Sequence, residues 1–176
     1  NGLVLGGDAL ASLQNSGKRL SLQSYSTIDT YGTGTVGSNS FERLSLQAAA
    51  IRGFNTGGGS VSFSAAALSL GNSLSSSVLP ALAGPLSGSL SFDAGKITLG
   101  ANALRLEGFN GSQLSSASGI LADGQGSLSS TGDLRLLTTL VTGASESKYR
   151  IQSAGILRID RPATGNSSSF TPGFGA

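Results

Sequence analysis

The pentapeptide RLSLQ stands at residues 19 to 23 and again, letter for letter, at residues 43 to 47, an interval of 24. The interval continues in chemistry. With Leu20 and Leu22 as the register mark, the apolar-polar-apolar triplet returns at Leu44 and Leu46, Leu68 and Leu70, Ile97 and Leu99, Leu134 and Leu136, and Leu157 and Ile159. The successive steps are 24, 24, 29, 37 and 23 residues. Gly17, Gly95, Gly132 and Gly155 each precede a triplet, where a sharp bend favours a residue without a Cβ. A second apolar position lies upstream of each bend: Leu13, Val61, Leu90, Leu128 and Ile151. The repeating unit therefore reads as strand, turn, strand.

Twenty-four residues at about 3.3 Å each span at most roughly 80 Å of extended chain, more than a hairpin needs and suited to one circuit of a narrow tube. Similarity at a fixed period of this size marks a solenoid. A β-sandwich also has many short strands, but it does not bring six triplets into phase. The predicted fold is thus all-β, a parallel β-helix of about six turns with loop insertions. Side chains alternate along a strand, so Leu20 and Leu22 point inward and Ser21 outward. The expected outward ladder is Ser21, Ser45, Ser69, Thr98, Arg135 and Arg158.

Two longer circuits predict loops. Residues 72–88 (NSLSSSVLPALAGPLSG) carry Pro80 and Pro85, which cannot donate to a ladder. Residues 109–126 (FNGSQLSSASGILADGQG) are read as a second expelled segment, and loops on a solenoid are common recognition surfaces. The β-helix is expected to occupy 1–160. Residues 161–176 have no alternation and two prolines, which reads as a linker or the start of another segment.

Charged residues make up only 11% of the chain, so Ser, Thr, Asn, Gln and Gly must solvate its surface. The 11 basic residues are dispersed and the net charge is +2, which argues against a nucleic-acid partner. No apolar stretch approaches the span of a bilayer, and nothing at the start resembles a signal peptide. The chain contains no Cys, hence no disulfide framework, and no Met, from which we expect a piece of a longer product.

The stretches LSLQSYSTIDTYGTGTVG (20–37) and LSLQAAAIRGFNTGG (44–58), with the endings AGKITLGA and AGILRID, resemble the filamentous haemagglutinin family of two-partner secreted exoproteins. The closest likeness is to a domain of that family found well downstream of its secretion domain. The resemblance implies a right-handed β-helix forming part of a long surface fibre of a Gram-negative bacterium. It implies an extracellular or cell-surface location, export of the parent chain through an outer-membrane partner, and a glycan or protein on host or bacterial cells as ligand. The family's Asn-rich secretion motifs are not visible here, so this piece reads as shaft or receptor-facing segment.

Candidate chemistry is sparse. With no His and no Cys, the usual general bases, nucleophiles and soft-metal ligands are missing, and no cofactor is expected. Aligned by circuit, Asp93 and Asp133 both fall near a bend but at different offsets; they are the acids on which a polysaccharide-processing enzyme would depend. Arg19, Arg43 and Lys96 share the position before the register mark and are candidate contacts for an anionic glycan, although the breaks at Ala67 and Asp133 favour reading them as a solvated edge. Phe54 and Phe109 lie in two copies of Gly-Phe-Asn, with Tyr31 in a similar place; such rings can stack on sugars or plug the core. Asn110 and Asn166 begin Asn-Xaa-Ser triplets that fit glycosylation acceptors. Gly57 to Gly59 read as turn glycines rather than a phosphate cradle, since no helix follows. The leading expectation is a structural and adhesive fibre segment. The alternatives are the polysaccharide-processing enzyme, the shaft of a contact-dependent toxin-delivery protein and a spacer without a ligand.

Overall fold

The computed structural model describes residues 4, 6–74, 79, 82 and 84–163. A short helix, α1 (Gly7–Ser16), precedes six turns of parallel strands. Turn one holds β1 (Arg19–Gln23), β2 (Thr27–Tyr31) and β3 (Gly34–Gly37). Turn two holds β4 (Arg43–Gln47), β5 (Ala50–Phe54) and the first half of β6 (Ser60–Gly71). Turn three holds the second half of β6 and the first half of β7 (Ser89–Leu99). The rest of β7, β8 (Asn102–Glu107) and β9 (Gly111–Ser116) make turn four. Turn five is β10 (Ile120–Ala122), β11 (Gln125–Ser130) and β12 (Asp133–Thr138); turn six is β13 (Val141–Gly143), β14 (Lys148–Ser153) and β15 (Leu157–Asp160).

These strands stack into three faces. The first runs β1, β4, β6, β7, β10, β13, and its register aligns Leu20, Leu44, Leu68, Ile97, Ile120 and Val141. The second runs β2, β5, β8, β11, β14. The third runs β3, β6, β7, β9, β12, β15 and aligns Val36, Phe63, Phe92, Leu114, Leu136 and Ile159. Strands β6 and β7 are long because each rounds a corner from the third face to the first. The corner is tight: Ala65 pairs Ala94, and a Cβ at Gly95 would lie 2.8 Å from the Ala66 carbonyl oxygen.

Inward columns from the three faces form one core. Leu44, Leu46, Leu70, Phe92, Leu114, Ile120 and Leu136 are each 0% exposed. Each such side chain contributes on the order of 2 kcal/mol by leaving water. Phe63 and Phe92 stack inside, with centroids 5.6 Å apart. Polar groups that enter the interior sit at bends and are mostly satisfied. Ser116 Oγ accepts from the Gly119 amide at 3.1 Å and donates to the Gly119 carbonyl at 2.7 Å. Asn102 donates to the Asn72 carbonyl at 2.7 Å, and Asn72 to that of Ala103 at 3.1 Å.

The parallel solenoid of six turns is as expected, but its phasing differs from the sequence reading in the later turns. Residues 109–126 are not an expelled loop: they contain β9, β10 and the start of β11 and form a regular part of the stack. The first-face steps are consequently 24, 24, 29, 23 and 21, from Leu20 through Leu44, Leu68, Ile97 and Ile120 to Val141. Leu134 and Leu136 belong to the third face, as do Arg135 and Arg158; above Thr98 on the first face stand Leu121 and Thr142. The upstream apolar positions divide likewise. Val61 and Leu90 are on the third face, Leu128 and Ile151 are on the second, and Leu13 lies in α1 rather than in a strand. The physical reason is that every face uses the same triplet, so alternation marks a strand without marking its face.

Of the segment 72–88, the described residues 72–74, 79, 82 and 84–88 lie outside the strands, and the others are outside the described residues. Among the described residues turn three has no second-face strand, and β5 of turn two pairs directly with β8 of turn four. Turns two and four thus converge on that face while β6 separates β4 from β7 on the first face. Pro85 lies in the expelled segment outside any strand; Pro80 is outside the described residues. Beyond Asp160, residues 161–163 carry no strand, and the rest of the expected linker is outside the described residues.

Candidate functional site

The inward core is closed to chemistry, so function must be sought on the outward columns. On the first face, Arg19 pairs in register with Arg43, Arg43 with Ala67, and Ala67 with Lys96. The basic column is therefore interrupted at Ala67 and resumes one rung later at Lys96. Arg19 Nε donates to Glu42 Oε2 at 2.9 Å, with both side chains exposed. Such a surface pair adds little stability and ties down part of the column's charge.

On the second face the two Gly-Phe-Asn copies separate into different roles. Phe109 is 1% exposed. Its ring packs over Gly53, where a Cβ would come within 2.5 Å of it, so this ring closes the core and is not available to a ligand. Phe54 remains half-buried and points outward, stacked on Tyr31 of the turn below at 5.2 Å and 17° between planes. Tyr31 is 70% exposed. The strand register places Asp29 beside Arg52 in the adjoining outward column, so the aromatic platform is edged by an acid and a base. Tyr31 and Phe54 are 23 residues apart, and the repeat length alone could have paired them.

Next to that platform lies an ion cluster. Glu107 is 2% exposed and accepts from Arg52 Nε at 2.8 Å and Arg105 Nε at 3.2 Å. Arg105 also donates to the Leu79 carbonyl at 3.1 Å, tethering the expelled segment to β8. Two guanidiniums on one buried carboxylate make a fixed structural joint rather than an acid poised for catalysis.

The third face carries a groove of about 440 Å³. Its floor is an outward column in register: Ser91, Gln113, Arg135 and Arg158, with Ser60 and Ser89 alongside. Arg135 Nε donates to Asp160 Oδ2 at 2.7 Å and its Nη1 to Gln113 Oε1 at 3.4 Å. Asp133 Oδ1 accepts from the Ile156 amide at 2.8 Å. The Arg158 side chain has no hydrogen bond or ion pair among the described residues. The triplet spacing aligns Arg135 with Arg158 but puts them on the first face, so the groove is not legible from the sequence.

Asp93 and Asp133 do not form a carboxyl pair. Asp93 aligns with Ser115 and then Leu137, which is four residues along from Asp133 and two rungs from Asp93. Their backbones are roughly 16 Å apart by strand spacing, beyond the separation glycosidases use. Among the described residues no three Asp or Glu gather into a metal-binding group, and no helix is long and apolar enough to cross a membrane. Asn110 is exposed at the corner before β9, whereas Ser112 of its triplet is 3% exposed; Asn166 is outside the described residues. The chain has no significant match to any known family model, curated protein or solved structure.

Proposed function

We propose that this chain is a structural and adhesive segment of a secreted bacterial surface fibre of the filamentous haemagglutinin kind. In this reading the solenoid holds ligand-contacting side chains at fixed rungs, outside the cell. The parent chain reaches the surface through an outer-membrane partner, and the ligand is a glycan or protein on another cell. The observation that carries the reading is the exposed Tyr31 ring stacked on Phe54, edged by Asp29 and Arg52. An aromatic face with hydrogen-bonding groups at its rim suits a pyranose, whose C–H face is apolar and whose hydroxyls point sideways.

The test is adhesion of the purified protein to epithelial and bacterial cells, together with a glycan array. Tyr31→Ala and Phe54→Ala should each lower binding at least about fivefold, with little change in melting temperature for the exposed Tyr31 variant. Undiminished adhesion of both variants would remove the platform from the reading. Absence of adhesion by the intact protein would favour a spacer or delivery shaft.

A further inference from the structure

From the third-face groove we infer a second binding site, for a linear acidic saccharide bearing carboxylates. It rests on the adhesive reading for the presence of a saccharide partner, and on the groove's geometry for the class. Four successive rungs present Ser91, Gln113, Arg135 and Arg158 in one outward column. Rungs repeat about every 4.8 Å, close to the rise of one sugar in an extended 1,4-linked chain, so consecutive sugars meet consecutive side chains. The hydroxyl and amide groups both donate and accept, as sugar hydroxyls require.

The acidic class follows from the local charge. Asp160 already holds Arg135, and one oxygen of Asp133 is engaged by the Ile156 amide. Of the two guanidiniums in the groove, that of Arg158 has no partner among the described residues. Its planar fork matches a carboxylate with two parallel N–H donors. Ile156, 54% exposed at the groove's edge, offers an apolar flank for the C–H face of a ring. The ligand therefore lies along the solenoid axis, with a uronate carboxylate on Arg158 and sugar hydroxyls over Gln113 and Ser91.

The probe is a short 1,4-linked oligogalacturonate, titrated into the 176-residue protein by calorimetry, beside the same oligomer with its carboxyls reduced to alcohols. The acidic oligomer should bind at least about tenfold tighter than the neutral one, and more weakly as salt rises. Arg158→Gln should cost about tenfold and Arg158→Lys less, because Lys keeps the charge without the fork. Arg150→Gln removes the same charge from the second face and should leave affinity unchanged. Equal affinity for both oligomers, equal loss in the Arg150 and Arg158 variants, or no binding by the intact protein would each overturn the site. Cell adhesion that depends on Tyr31 but survives without oligogalacturonate binding would overturn the groove alone. Oligomer binding without cell adhesion would overturn the adhesive reading and keep the groove.

Discussion

Glu107 of the fourth turn meets Arg52 of the second at 2.8 Å, across 55 residues of chain. The contact exists because no strand of the third turn, among the described residues, comes between β5 and β8 on the second face, so that the two pair directly. Arg105, which also holds Glu107, donates to the Leu79 carbonyl. A sequence-local insertion thereby creates a long-range buried ion cluster.

Glu107→Ala would leave two guanidiniums facing each other without their anion, and should destabilise the protein by about 3 kcal/mol in urea unfolding. Replacing Arg52 and Glu107 together by leucine should cost clearly less than the sum of the single changes, since neither charge is then left buried alone. Additive losses would mean that the cluster is not coupled.

Leu46 is 0% exposed and its neighbour Ser45 points outward on β4. Leu46→Asp should therefore cost about 4 kcal/mol or more, and Ser45→Asp under about 1 kcal/mol. Leu136→Asp and Leu137→Asp repeat the contrast on the third face, with Leu136 at 0% exposure. Equal effects within either pair would contradict the register.

Ser112 interrupts an apolar inward column between Leu90 and Leu134, and its buried hydroxyl has no hydrogen-bond partner. Ser112→Val removes that unsatisfied group and adds methyls to the core. We expect a gain of about 1 kcal/mol, visible as a raised melting temperature. A lower melting temperature would mean that the column has no room for the branch at this rung.

Burial raises the Tyr149 hydroxyl from its ordinary 10.0 to about 12. Below pH 10 the phenol is neutral whether the chain is folded or not. Above it the unfolded chain ionises first and binds fewer protons, so stability falls as pH rises towards 12. This hydroxyl also has no hydrogen-bond partner, so Tyr149→Phe loses no bond. The variant should flatten the stability profile above pH 10 without lowering stability at neutral pH, as checked by urea midpoints between pH 8 and roughly 11.5.

The first three rungs were legible because RLSLQ recurs without insertion, so Arg19, Leu20 and Leu22 fall opposite Arg43, Leu44 and Leu46 by counting alone. Counting loses phase at Leu134, where an equally good triplet lies on another face. Ala122 and Gly143 explain the slip: on the first face they stand where a second leucine would have completed the triplets begun by Ile120 and Val141. Phe54 and Phe109 illustrate the same limit at the candidate site. Both follow a glycine, yet one stacks outward on Tyr31 and the other is sealed over Gly53.

By itself, the amino-acid order determined that this protein coils as parallel laps around a shared apolar interior, because alternation and repeat length are one-dimensional properties of a strand-forming chain. Only the tertiary structure decided which face each lap's residues occupy, that one lap omits a strand, and that Arg135 and Arg158 share a groove with Ser91. Those outcomes depend on how many residues each corner consumes, and corner geometry is set by contacts between laps rather than by any local preference of the chain.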